Sequence, residues 1–252
     1  MTEDDRHGDD QREDDRCGDD RHRGDRCGDD RYGDVYVGAD EAGKGPVIGP
    51  MVAGAVRADP ASLPDGIGDS KRLSEPEREA IDDALRSDPA VETAIGVVDV
   101  EEIDDPETDM NRLTVAVQSR ALSKLIRDGD RIVVDAGDVS ERRFADRLRG
   151  RLNENCSGIE VLARHGADDE DPIVGAASIV AKVERDRRVE AIAAEYAEFG
   201  PVGSGYPGDR TTRSFLERYL RECGELPSCA RRSWSTCDDL LAAVEQSTFE
   251  RF

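Results

Sequence analysis

Val35-Tyr36-Val37-Gly38-Ala39-Asp40-Glu41-Ala42-Gly43-Lys44-Gly45-Pro46-Val47-Ile48-Gly49-Pro50-Met51-Val52-Ala53-Gly54-Ala55-Val56 is the longest apolar run in the chain, and two adjacent acids interrupt it. The flanking segments, rich in Val, Ile and Ala, predict two neighbouring buried strands. A pair of carboxylates at the rim of a core is costly unless a cation neutralises it, so Asp40 and Glu41 point to a divalent-metal site. An acidic hairpin turn in an acid-rich protein is the plain alternative.

Outward from that stretch the chain is acidic throughout. Its 252 residues carry 58 Asp and Glu against 35 Lys and Arg, a formal net charge of -23, and its only lysines are Lys44, Lys71, Lys124 and Lys182. Such a surface suits a protein that stays soluble in strong salt, where screening shortens self-repulsion to a few Å, so a halophilic source is expected. The length fits one core with a small appendage. No window approaches 18 consecutive apolar residues and the N-terminus has no signal-type apolar stretch, which predicts a soluble, cytoplasmic protein without membrane association. The six cysteines form no C-x-x-C pair and are expected as free thiols.

Residues 1–33 repeat a ten-residue Asp/Arg/Gly theme with 13 acids and 7 arginines, and with almost no apolar side chains they are expected to form a disordered arm. Cys17, His22 and Cys27 are spaced like part of a zinc knuckle, but Asp14 stands where a first thiolate would be needed. After the first two strands, Ser74-Glu75-Pro76-Glu77 predicts a capped helix start with Ile81 and Leu85 on its inner face. A strand over 91–98 follows. Leu113, Val117, Ala121 and Leu125 then recur every four residues and predict a helix. Ile132-Val133-Val134-Asp135 predicts a short buried strand that ends on a carboxylate, as the first acidic strand does. A helix over 142–152, a strand over 159–163 and a long helix over 173–197 come next. The remainder, 201–252, opens with a Gly/Pro loop and continues as helices near 212–222 and 237–245. Strands first in a run and later alternating with helices imply an α/β fold with a central mixed sheet flanked by helices and a C-terminal helical appendage. The expected organisation is an arm at 1–33, a catalytic domain at 34–200 and a C-terminal region at 201–252 that completes the substrate site.

Gly38-x4-Gly43-Lys44-Gly45 nearly matches a nucleotide-binding P-loop. Three features exclude it. Position 45 has no hydroxyl for magnesium, Pro46 leads into a strand where a helix is required, and Asp40 and Glu41 would repel phosphates. The better reading gathers Asp40, Glu41 and Asp135 at the ends of adjacent strands, with a fourth carboxylate from the long helix. Hard oxygen ligands suit Mg²⁺ or Mn²⁺, and two such ions about 3.5–4 Å apart support phosphodiester cleavage. Asp138 is the competing ligand near Asp135.

Asp40-Glu41-Ala42-Gly43-Lys44-Gly45-Pro46-Val47-Ile48-Gly49-Pro50, Asp69-Ser70-Lys71, Val134-Asp135, Ala177-Ser178-Ile179-Val180-Ala181-Lys182-Val183-Glu184-Arg185-Asp186 and Gly203-Ser204-Gly205-Tyr206-Pro207 together resemble ribonuclease HII in its archaeal form, in order, across residues 35 to about 236. The resemblance implies the ribonuclease H-like fold. It also implies a monomeric metal-dependent endoribonuclease that cuts the RNA strand of RNA/DNA hybrids and ribonucleotides embedded in duplex DNA, leaving 5′-phosphate and 3′-hydroxyl ends. By the same resemblance Asp40, Glu41, Asp135 and Asp186 hold the ions, and Tyr206 stacks on the deoxyribose after the ribonucleotide. Gly43, Lys44 and Gly45 grip the backbone around the 2′-hydroxyl, and Ser70, Lys71, Lys182 and Arg185 complete the nucleic-acid contacts. Lys44 stands where the family usually has arginine, and lysine lacks the planar fork, so the backbone amides are the firmer inheritance. A catalytically silent hybrid-binding protein is the rival reading.

At a net charge of -23 the surface should repel nucleic acid. A local positive rim built from Lys44, Lys71, Arg72, Lys182, Arg185, Arg210, Arg231 and Arg232 is therefore expected beside the acids.

Overall fold

The computed structural model describes residues 35–67 and 73–249. The arm with Cys17, His22 and Cys27, and the expected contacts Ser70, Lys71 and Arg72, lie outside them.

β1 (Tyr36–Ala42) and β2 (Met51–Ala58) are the strands foreseen on either side of the interrupted run, and they pair antiparallel with Asp40 opposite Gly54. α1 (Glu75–Ser87) starts at the capping box, where the Glu77 carboxylate accepts from the Ser74 amide at 2.7 Å. β3 (Glu92–Val98) adds antiparallel to the free edge of β2. A short α2 (Val100–Ile103) and the amphipathic α3 (Met110–Leu122) lead to β4 (Arg131–Asp135), which pairs parallel with β1. α4 (Glu141–Leu152) returns the chain to β5 (Glu160–Arg164), parallel to β4. Then come a short α5 (Ala167–Glu170), the long α6 (Pro172–Glu195), α7 (Arg210–Cys223) and α8 (Ser235–Phe249). The sheet order is β3-β2-β1-β4-β5, the mixed arrangement expected from the order of elements.

Alternation along β1 decides which side chain meets which helix. Val37 and Ala39 enter the larger core with Leu113, Val117, Phe144 and Leu148 of α3 and α4. Gly38 faces α6 instead. A Cβ there would lie 2.8 Å from Ile173 Cγ2, and one on Gly54 would lie 2.3 Å from the Ala177 carbonyl oxygen. The helix rests on bare backbone at both points, and that closeness brings the middle of α6 directly over the end of β1. Asp171 caps α6 by accepting from the Ile173 and Val174 amides at 3.0 and 3.1 Å, with Pro172 in the first turn.

The loop after β1 does not continue as a helix, as the rejection of a P-loop requires. Val47 and Ile48 from that loop are buried with Phe215, Leu216, Leu220 and Ala230 in a second core, where Tyr196 meets Phe215 edge-on at 5.8 Å. The last third of the chain therefore packs onto the loop that follows the acidic pair. Cys156, Cys223, Cys229 and Cys237 are free, as expected.

Candidate active site

Parallel pairing of β1 with β4 sets Ala39 beside Val134, so the next residues along, Asp40 near the end of β1 and Asp135 at the end of β4, lie on neighbouring strands about 4.8 Å apart. Carboxyl ends of parallel strands are where open α/β sheets place their sites. Asp40 points to the α6 side and is 6% exposed. Glu41, one residue on, turns to the α3 side. There the fully buried Gln118 donates from Nε2 to Glu41 Oε2 at 2.6 Å and to the Asp135 carbonyl at 3.0 Å. Gln118 thus ties the two strand ends together, and its own Oε1 is buried without a hydrogen-bond partner. The Asp135 carboxylate accepts from the Ala167 amide at the start of α5, at 2.9 Å.

Burial raises the Asp40 carboxyl above the ordinary range, and the charges of Asp135 and Asp168 raise it further. Burial raises Glu41 as well, with Asp40 adding to it and Gln118 and Lys44 opposing. Asp135 is raised by burial, opposed by the Ala167 amide and pushed up again by Asp168. Four carboxylates therefore act on one another: Asp40, Glu41, Asp135 and Asp168. Among the described residues no three Asp, Glu, His or Cys side chains stand close enough to form a finished metal cage. The four are hard oxygen donors whose charges raise one another, with Glu41 reaching the adjoining cavity beside Asp186. That donor set fits Mg²⁺ or Mn²⁺ and does not suit a soft metal.

Asp168 is absent from the sequence-based set, which names Asp186 instead. Asp186 lines one cavity with Glu41, the loop 43–45 and Lys182. α6 runs alongside β1, with Ile173 against Gly38, Ala177 against Gly54 and Arg185 against Gly43, so Asp186 stands where β1 ends. It pairs with Arg78 at 3.3 Å and Arg185 at 3.2 Å. A signal for Asp168 was present: β5 is the third strand running parallel with β1 and β4, and Asp168 follows its end as Asp135 ends β4. Asp138 is no ligand. Arg143 and Arg147 enclose its carboxyl, and the hydrogen bonds from Arg143 hold it down at about 2.

Beside the acids lies a cavity of about 420 Å³ lined by Glu41, the loop 43–45, Lys182, Arg185, Asp186 and Tyr206. Lys44 donates from Nζ to the Gly137 carbonyl at 2.6 Å, which keeps its ammonium beside Glu41. Gly43 has φ 89°, the left-handed region that favours glycine. Tyr206 is 46% exposed, with the Arg185 guanidinium 5.3 Å from its ring centroid, and Arg185 also holds the Ser204 carbonyl at 2.6 Å. The cations of this rim are thus Lys44, Lys182, Arg185 and Arg78. Arg231, expected among them, is fully buried and turned to backbone carbonyls. Arg232 is engaged elsewhere, with its amide on Asp104.

Residues 37–237 match the family model described as Ribonuclease HII. The chain is 54% identical over 215 residues to the ribonuclease HII of Halobacterium salinarum, covering 85% of this chain and 98% of that one. The crystal structure of the ribonuclease H2 from Pyrococcus horikoshii superposes with a TM-score of 0.73 at 36% identity, covering 83% of this chain and 98% of the other. The enzyme from Archaeoglobus fulgidus, solved as a PCNA:RNase HII complex, gives a TM-score of 0.68 at 34% identity, covering 79% and 95%.

Proposed function

The chain belongs to the ribonuclease HII family of RNase H endonucleases, and on that premise we propose that it hydrolyses the RNA strand of RNA/DNA hybrids and cuts at ribonucleotides embedded in duplex DNA. The products are 5′-phosphate and 3′-hydroxyl ends. The observation that carries this reading is the register of β1 against β4, which sets Asp40 and Asp135 on adjacent strand ends with Glu41 and Asp168 acting on them. Asp40, Glu41, Asp135 and Asp186 would hold Mg²⁺ or Mn²⁺, two ions during catalysis, with Asp168 acting on Asp40 and Asp135. When bound, such ions activate water and stabilise the leaving oxygen. Gln118 and the Ala167 amide aim Glu41 and Asp135. Lys44, Lys182 and Arg185 meet phosphates around the cavity, Tyr206 covers the sugar of the next nucleotide, and the amides of the loop 43–45 meet the 2′-hydroxyl. In the metal-free protein Asp186 pairs with Arg78 and Arg185.

A duplex with a single ribonucleotide, incubated in molar KCl with Mg²⁺ or Mn²⁺, tests the proposal. Cutting at the ribonucleotide by the parent and not by Asp135→Asn supports it. Tight binding without cutting by the parent would favour the silent hybrid-binding protein. Among the described residues no helix is long and apolar enough to cross a membrane. We place the protein in the cytoplasm as a monomer, with residues 201–252 completing the substrate side. PCNA association, seen for the Archaeoglobus relative, extends the proposal to this chain, and co-elution with PCNA on gel filtration checks it.

A further inference from the structure

Among the described residues Arg231 is the largest fully buried side chain, and it has no carboxylate in an ion pair there. A buried guanidinium keeps its place only where its donors are met. Here they are met by carbonyls of one loop: Nη2 donates to Gly43 at 2.6 Å, Nη1 to Lys44 at 3.2 Å and Nε to Gly49 at 2.8 Å. Trp234 completes the arrangement. Its ring stacks with the guanidinium at 4.9 Å, and its Nε1 donates to the Gly45 carbonyl at 3.2 Å. Asp104 anchors the turn that presents both residues by accepting from the Arg232 and Ser233 amides at 2.7 and 3.0 Å.

In a trans peptide the C=O and the following N–H point in opposite directions. With the Gly43 and Lys44 carbonyls drawn inward to Arg231, the N–H groups of Lys44 and Gly45 are turned outward, on the side of the cavity that the loop 43–45 lines. Arg231 Nε also reaches the far half of the loop at Gly49, but Val47 and Gly49 there are held in addition by backbone bonds to Gly205 and Cys229, at 2.8 Å each, so that half depends less on the guanidinium. Arg231 therefore controls the half of the loop that faces the substrate.

We propose that Arg231, supported by Trp234, is a positioning residue for substrate discrimination: by clamping the Gly43 and Lys44 carbonyls it aims the Lys44 and Gly45 amides at the ribonucleotide, so that it sets the preference for a 2′-hydroxyl without touching nucleic acid. The clamp rests on the ribonuclease reading above. It also makes the recognition a property of backbone direction, which the Lys44 side chain does not govern.

The test compares the parent with Arg231→Lys and Trp234→Phe in molar KCl. For each, KM and kcat are measured on a one-ribonucleotide duplex, with the all-deoxy duplex as competitor for Ki. Lysine keeps the charge but cannot span three carbonyls, and phenylalanine keeps the stacking ring but loses the donor to Gly45. Losing charge-assisted hydrogen bonds of this kind is expected to raise KM for Arg231→Lys about tenfold with the all-deoxy Ki unchanged. Trp234→Phe should shift the KM-to-Ki ratio the same way by a smaller factor. A ratio unchanged in both variants overturns the clamp, as does a parallel rise of KM and Ki with a lower melting temperature, the mark of a merely structural role. If Arg231→Lys fails to fold, the ratio for Trp234→Phe decides alone. A parent that does not cut the ribonucleotide overturns the ribonuclease reading and this proposal with it, and that outcome is distinct from a cutting parent whose variants keep the ratio.

Discussion

Asp135→Asn removes one charge from the carboxylate group while leaving an oxygen to accept from the Ala167 amide, so it isolates electrostatics from shape. Asp40 and Asp135 stand on adjacent strands one strand spacing apart, about 4.8 Å at the backbone, and unit charges at that separation repel by roughly 3 kcal/mol at an effective dielectric of about 20. Burial raises both groups and the charge of Asp135 raises Asp40 further, so the relief from the substitution, after screening, is about 1–2 kcal/mol. For a chain of this size that is a rise in melting temperature of roughly 2–8 °C, measured by circular dichroism in molar KCl with EDTA. Activity moves the other way. A bound ion supplies several kcal/mol of transition-state stabilisation, so loss of a ligand carboxylate should lower kcat by at least about 10². Titrating Mg²⁺ should raise the melting temperature of the parent more than that of the variant, because only the intact site gains the full binding free energy. A variant that melts below the parent without metal, or that cuts within about tenfold of it, would refute the repelling metal site.

Other substitutions separate the remaining assignments. Asp186→Asn should resemble Asp135→Asn and lower kcat by about 10² or more, whereas Asp168→Asn should chiefly stabilise the metal-free protein by relieving its charge on Asp40 and Asp135; a loss below about fivefold for Asp186→Asn in the cleavage assay would remove Asp186 from the ligand set. Gln118→Leu leaves Glu41 without its buried donor, a cost of about 1.5–3 kcal/mol, and should lower kcat about 10–100-fold while KM for the duplex stays constant. Asp209 accepts from the Ser204 amide and hydroxyl and from the Thr211 amide, which hold its carboxyl down at about 2. A depressed carboxylate stabilises the fold above its unfolded pKa and loses that contribution as pH falls, so Asp209→Asn should melt below the parent at pH 6, with the difference closing by about pH 2.

The strands that carry Asp40, Glu41 and Asp135 are legible in the sequence because apolar runs and β-branched residues mark them. Side-chain alternation even foretells that Asp40 and Glu41 diverge to opposite faces. Asp168 is not legible in the same way. It sits on the four-residue α5, inside a run of acids whose composition suggests only solvent, and its neighbourhood depends on β5 pairing with β4. Asp186 drew attention because it belongs to a quoted motif, and the run of α6 along β1 brings it to the cavity that Glu41 lines. Gln118 was hidden for the opposite reason: a polar residue inside an amphipathic pattern with Leu113 and Val117 registers as an interruption until the packing shows that it faces Glu41. Arg231 counted as a surface cation from sequence because arginine is almost never fully buried without a partner. Its partners are carbonyls, which a composition-based reading cannot see.

The site also answers how a chain at -23 approaches a polyanion. Two of the four lysines, Lys44 and Lys182, line the cavity beside the acids, and Arg185 joins them, so the cations are concentrated where a phosphate backbone would pass. At molar salt the screening length is about 3 Å, which silences the distant acidic surface while leaving contacts at hydrogen-bond range intact. The same salt removes most of the counterion-release affinity on which nucleic-acid binding usually depends. What is left to distinguish a ribonucleotide is short-range and directional: amides turned outward by a buried clamp, a tyrosine held by Arg185, and carboxylates that await a divalent cation. A protein adapted in this way should give up long-range steering and keep its selectivity in the backbone, which is where Arg231 acts.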